Sequence, residues 1–404
     1  MALLRRFGHD RSGNVASTFA LSILPLVGLA GAAVDYSRAT KLQSNLQQIT
    51  DAAALSAAAA KASSSDARVN VALGFFRTAS SPSQVSHEAT ASVSGKTVTV
   101  TAKDLLKTGI LGAIGINEIV VAARSKAERI KQGPPVCVMA LSHTASGAVT
   151  FARSSSFVAD GCAIHSNSSS GNSLVVQGSA SVKAGALCAV GGVSVPSSLA
   201  AMAESNCDRL EDPFRNLPEA VATGCDYNKK TVQPGDTETL YGDKTYCNGL
   251  DIKGNATLQP GLYIIKNGPL TISSQANVTG AGVTFYLVGQ GAGFTFNGSG
   301  KIDLSAMTSG PYQGMLIVQD RVSNTGATNT LNGDSTTKLS GAIYTPTQSL
   351  TLNGSGTFGQ ASAFMPIIAD QIKFAGSATA RSDVNAVKTP APLPVTWTGA
   401  RLID

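Results

Sequence analysis

One nine-residue pattern recurs through the last two-thirds of the 404-residue chain: apolar, any, apolar, any, Gly or Ser, small or polar, small, any, apolar. Its copies are LVVQGSASV (174–182), LDIKGNATL (250–258), LTISSQANV (270–278), FTFNGSGKI (294–302), LTLNGSGTF (350–358) and IKFAGSATA (372–380), with a looser one at 330–339. The starts at 250, 270 and 294 lie 20 and 24 residues apart, and 350 to 372 adds 22, the length of one coil of a parallel β-solenoid. Apolar positions alternate with polar ones, as a strand with one buried face requires. Gly and Asn between the alternating runs supply the left-handed conformations of a sharp corner. Apolar runs at 283–287, 315–318 and 342–344 supply further strands of the same coils. A β-sandwich also places strands every 8–12 residues and is the alternative. It does not call for a repeated corner, so the solenoid is the expected fold of residues 136–404.

Only 14% of residues are charged while 43% are apolar, enough for a core and too little charge for many solvated helices. With one Trp and four His, no haem, zinc or other cofactor is expected. The six cysteines, Cys137, Cys162, Cys188, Cys207, Cys225 and Cys247, all fall inside the repeat region. An even number confined there points to disulfides in an oxidising compartment. Fifteen pairings are possible; joining sequence neighbours (137–162, 188–207, 225–247) suits the one-coil spacing. Cys162 and His165 have a metal-like spacing, but no second close pair completes a tetrahedral site.

Residues 12–34 contain no charged side chain. Within them, residues 15–34 (VASTFALSILPLVGLAGAAV), with Val15, Phe19, Leu21, Pro25, Leu29 and Val34 as marker positions, are long enough to span a ~30 Å hydrocarbon layer as a helix. Arg5, Arg6 and Arg11 precede this span, so a basic tail at 1–14 should stay in the cytoplasm and the rest should cross. A cleaved signal peptide is the rival, given the small residues Ala30, Gly31, Ala32 and Ala33. Against it, residues 35–62 continue without Gly or Pro, and Leu42, Leu46, Ile49 and Ala53 recur at helical spacing. Residues 14–62 as one helix would extend ~75 Å. The stripe reads either as core packing on the next segment or as a stalk face that docks on other membrane-anchored helices.

The basic excess is local. Residues 1–131 hold 15 Lys/Arg against 8 Asp/Glu, and residues 132–404 hold 16 against 17. A nucleic-acid binder would concentrate cations on its largest folded surface, so no nucleic-acid partner is expected.

The run FALSILPLVGLAGAAVDYSRATKLQSNLQQITDAAALSAA resembles the N-terminus of TadG-like proteins of the tight-adherence (Flp) pilus assembly system. The matching residues are Pro25, Asp35, Arg38, Leu46, Gln47 and the stretch 51–55, with residues 11–16 fitting upstream. The resemblance implies a single-pass inner-membrane protein whose bulk is periplasmic or surface-exposed. Its partners would be other pilus-assembly membrane proteins or pilin subunits, met through Asp35, Arg38, Leu42, Leu46 and Ile49 on the stalk. The fifth residue after Gly13 is Thr18, where processed pilins of related systems carry Glu, so the likeness does not extend to a major pilin. Several phrases of the repeat region, such as PGLYIIKNGPLTI, also resemble a C-terminal region of some alphaproteobacterial TadG-like proteins.

Between stalk and repeats, residues 63–131 read as a small α+β unit. A helix over 66–79 is capped by Ser65 or Asp66, and residues 91–102 alternate around a Ser94-Gly95-Lys96 turn. Residues 103–116 look helical, residues 120–127 look like a strand, and Lys131-Gln132-Gly133-Pro134-Pro135 reads as a linker. No catalytic residues are expected. Asp303, Asp320, Asp334 and Asp370 do not form the close carboxylate pair a glycosidase needs. Asp320 and Arg321 read as a surface ion pair or turn. The chain is therefore expected to be a non-enzymatic pilus-assembly or pilus-associated protein. The alternatives are an adhesin binding glycans or surfaces without pili and, least favoured, a solenoid carbohydrate-active enzyme.

Overall fold

The computed structural model describes residues 13–60, 64–80, 88–298, 300–322, 326–333, 337–354, 357–358, 365–376, 379–381 and 393–403. The basic tail through residue 12, stalk residues 61–62 and Asp334 lie outside them. The chain divides into two units at Ile130/Lys131, and the residues from Thr398 onward return to the first.

In the first unit, α1 (Gly13–Ala59) is a single 47-residue helix containing Pro25, ~70 Å long. It begins two residues before the expected span and ends inside the expected stalk with no break between. Among the described residues no helix is long and apolar enough to cross a membrane. The side chains at 15–17, 20 and 24 of the expected span lie outside those residues. Phe19, Leu21, Leu26, Leu29 and Val34 are exposed.

The lower part of α1 and α2 (Ser65–Ala79) cover one face of an antiparallel sheet of β1 (Glu88–Ser94), β2 (Thr97–Lys107) and β3 (Glu118–Ala140). The cap of α2 is Ser64, one residue earlier than expected, its hydroxyl accepting from Ala67 N–H. Ala53, Ala54, Ala57 and Ala58 of α1 and Ala72 of α2 are buried with Phe76, Val98, Val100 and Val121. Side chains this small let two helices and a sheet approach closely, so the alanine run is a packing surface.

One expectation for this unit is corrected. Residues 103–116 are not a helix: β2 continues to Lys107, and only Leu111–Ile114 turns, as a 3-10 segment closed by Gly115. The ladder from Thr97↔Glu128 to Lys107↔Glu118 outweighs the apolar spacing that suggested a helix, and Gly109, Gly112 and Gly115 oppose one. Residues 131–135, read as a linker, begin at the boundary between the two units and are extended, within β3. The ladder to β2 ends at Glu128 and the solenoid ladder begins at Val136, so Pro134 and Pro135 fall where neither needs an N–H donor.

The second unit is a parallel β-solenoid of about 10 turns. A full coil carries three strands, as in Leu270–Ile272, Asn277–Ala281 and Val283–Val288, so the nine-residue pattern is one strand, a corner and the start of the next. Inward columns are continuous: Tyr263, Phe285, Ile317, Ile343, Ile367, Val138, Ile164 and Leu187 pair in register and are fully buried.

Coil order in space is not chain order. Residues 136–204 stack outward in one direction. Residues 205–226 then run back, and residues 227–381 stack toward the starting point. Ile367↔Val138, Ile372↔Val149 and Thr379↔Ser156 close the seam between the halves. Phe151, Phe157 and Phe374 pack across it with ring centroids 4.5–5.7 Å apart. The sequence period predicts coils but not this order, because a parallel ladder needs only a matching pattern in its neighbour.

Candidate functional site

The residues that distinguish α1 from a plain apolar helix act within the first unit. Asp35 is buried, and its carboxylate accepts hydrogen bonds from the N–H groups of Gly109, Ile110 and Leu111 at 3.0–3.2 Å. Arg38 stands 3.8 Å from the same carboxylate. The backbone donors, chiefly those of Leu111 and Gly109, hold the Asp35 pKa below the usual carboxylate range. Gly31 lies against Ile110, where a Cβ would collide with the isoleucine side chain. Further along, Gln47 donates to Asp51 at 2.7 Å and to Arg124 O on β3 at 3.1 Å. Leu46 is buried, and Leu42 and Ile49 pack against the same core. Of the two readings of the stripe, core packing or a contact for other proteins, its packing in this unit matches the first. The helix face left open carries Tyr36, Thr40 and Gln43. Sequence reasoning missed the 109–111 turn as the partner of Asp35; an uncharged, glycine-spaced segment was its only signal.

The solenoid has one covered and two open sides. The outward column Ile264, Tyr286, Val318, Tyr344, Ile368, Met139 and His165 is buried, because residues 205–226 lie along it as a strap. Asn167 exchanges hydrogen bonds with Leu210 N–H and C=O, Tyr344 donates to Asp212, Tyr312 to Pro218 O and Lys266 to Ala222 O. Arg321 donates to Phe214 O, Leu217 O and the Tyr344 hydroxyl. Arg321 is therefore a strap anchor, at a turn in which Val322 N–H donates to Asp320. Disulfides Cys188–Cys207 and Cys225–Cys247 fasten the two ends of the strap, and Cys137–Cys162 joins adjacent coils.

The most regular open side is a column of Thr271, Thr295, Thr330, Thr351, Lys373 and Thr150 in successive coils. Over the seam it forms a groove of about 770 Å³ whose lining includes Thr150, Arg153, Gln177, Thr351, Gln371 and Lys373 and, among the described residues, no carboxylate.

Of the carboxylates set aside as catalytic, Asp303 lies on Lys301–Ser305, Asp320 accepts from Val322 N–H, and Asp370 lies on Ile367–Phe374. His165 Nε2 donates to Asn167 Oδ1 at 3.1 Å, and its Nδ1 has no partner among the described residues. Burial pushes its pKa down to about 4. Cys188, Glu204 and Cys207 bring three ligand-type atoms together, but both sulfurs are committed to the disulfide and offer no thiolate. Burial pushes the Tyr312 hydroxyl up to about 12 and the Tyr344 hydroxyl higher still, as suits structural donors.

Residues 13–60 match the family described as "Putative Flp pilus-assembly TadE/G-like". No curated protein and no solved structure matches the chain.

Proposed function

We propose that this chain, TadE/G-like at residues 13–60, is a membrane-anchored pilus-assembly or pilus-associated protein that presents its solenoid outside the cytoplasm. The observation that carries the reading is coincidence: the matched segment is α1, Gly13–Ala59, almost end to end. Residues 15–34 serve as the membrane anchor in this reading, supported by the uncharged run at 12–34, the arginines before it and the exposed apolar side chains along it. Three disulfides suit an oxidising compartment for the solenoid. The partners are other pilus-assembly membrane proteins or pilin subunits, met through the open α1 face at Tyr36, Thr40 and Gln43. The chain works by binding and not by catalysis.

The test combines topology with phenotype. A reporter after Asp404 should be active only outside the cytoplasm, and deletion of the chain should abolish piliation. A cytoplasmic reporter signal overturns the topology; normal piliation in the deletion strain overturns the pilus role. The groove's Arg153 and Lys373, with no carboxylate among its described lining residues, favour a second reading, an adhesin that binds anionic surfaces without pili. That reading requires attachment to persist in cells lacking the other pilus components.

A further inference from the structure

We propose that residues 108–117 form a second membrane contact, an interfacial loop seated among lipid headgroups and upper acyl chains beside the end of the α1 span. The inference rests on the reading of residues 15–34 as a membrane anchor.

The sequence of the loop, TGILGAIGIN, has no charge, and its flanks Lys107 and Glu118 face each other in the last pair of the β2–β3 ladder. Ile110 and Ile116 are 44% and 48% exposed. An uncharged turn that leaves two isoleucines about half exposed presents apolar surface to its surroundings. The backbone is prepared for a water-poor setting. Gly109, Ile110 and Leu111 N–H donate to Asp35; Thr108 N–H donates to Asn117 O, Ala113 to Ile110 O, Gly115 to Gly112 O and Ile116 to Leu111 O. The Thr108 hydroxyl donates to Ile116 O. Internal satisfaction of these groups is the condition for entering a lipid interface.

Continuity identifies the occupant. Ile110 lies against Gly31, and α1 exposes Leu29 and Val34 on either side of that contact. The loop surface is therefore an extension of the apolar helix surface. Arg38, one turn past Val34, and Lys107 with Glu118 supply the charged groups that suit the water side. In this arrangement Asp35 positions the loop: its carboxylate ties the turn to the helix at the depth where the span ends.

The test uses the full chain reconstituted in phosphatidylcholine/phosphatidylglycerol vesicles with brominated acyl chains. Ile116→Trp is compared with Val120→Trp, each against the parent, whose one Trp is Trp397. Both positions are exposed, so both variants should fold. The tryptophan introduced at 116 should be quenched roughly twofold more than the one at 120, since interfacial elements sink only ~5–10 Å. Adding Asp35→Ala should reduce quenching at 116 while the chain still resists carbonate extraction. Carbonate-resistant protein with equal, weak quenching at both positions overturns the loop contact and leaves the anchor standing. Carbonate release with strong quenching at 116 overturns the anchor and keeps the contact. Failure to bind vesicles at all overturns both.

Discussion

Two buried titratable side chains illustrate opposite uses of polarity. Asp35 is ionised because three backbone donors surround it, so its contribution to stability is present above the ordinary carboxylate pKa and is lost as pH falls through its lowered value. His165 is held neutral because burial penalises its charged form, and its Nδ1 has no partner among the described residues. Its folded pKa, about 4, lies below the unfolded 6.5. The unfolded chain therefore takes up the proton first, and stability is lost as pH falls from about 6.5 to about 4, at up to about 1.4 kcal/mol per pH unit. Thermal melts across that range should show the loss, and His165→Phe should flatten it; an unchanged slope in the variant would refute the assignment. Leu46 has become a core residue of the first unit, so Leu46→Ala should cost about 2–5 kcal/mol. Leu46→Glu with Ile49→Glu should unfold the unit, which limited proteolysis of residues 35–130 would reveal. Piliation defects in such variants report folding. Tyr36 or Gln43, on the open face, are the positions at which substitution probes partners.

At the scale of elements, the strap is the unusual part. It covers a column that includes Tyr286, Val318 and Tyr344, which an uncovered solenoid would expose. Its two terminal disulfides close loops of 19 and 22 residues, each worth roughly 3 kcal/mol in the chain-entropy account. Reduction should lower the melting temperature of the solenoid and raise hydrogen exchange first in residues 205–226, read by mass spectrometry. Unchanged exchange there after full reduction would mean that Arg321, Asn167 and Lys266 suffice to hold the strap. Strand ends are managed differently at the two solenoid ends. Tyr227–Val232 carries Lys229, Lys230 and a register shift, while the other end closes with Pro196 and the 3-10 turn Ser197–Met202. Both devices discourage a further strand from adding to the edge.

For the whole molecule, the seam decides whether the solenoid is one body. Residues 136–204 and 227–381 meet only because the coil at 367–381 matches the coil at 136–158 in register. Phe151→Ala removes one ring of the aromatic cluster and should cost about 3–5 kcal/mol. The expected signature is a second calorimetric transition as the halves uncouple; a single shifted transition would show that the strap alone keeps them cooperative. The first and last segments of the solenoid lie at this seam, so the chain enters and leaves it mid-stack and not at its ends.

What the sequence determined by itself were the local rules. The nine-residue alternation with glycine corners requires coils, the neighbouring cysteines match one coil each, and residues 13–60 carry a recognisable helix whose polar positions are ordered. These are properties of adjacent residues, and periodicity reports them. Tertiary structure decided which surfaces stay open. The Leu42, Leu46 and Ile49 stripe reads equally as core or contact until β2 and β3 are placed against it, and Asp35 has no visible role until residues 109–111 arrive from 74–76 positions away. Residues 103–107 pair as strand because the ladder to β3 supplies bonds that helical spacing alone cannot outweigh. Coil order was undetermined for the same reason: every coil carries a similar apolar pattern, so local sequence fits many stacking orders, and the strap and the Phe151–Phe374 seam select one.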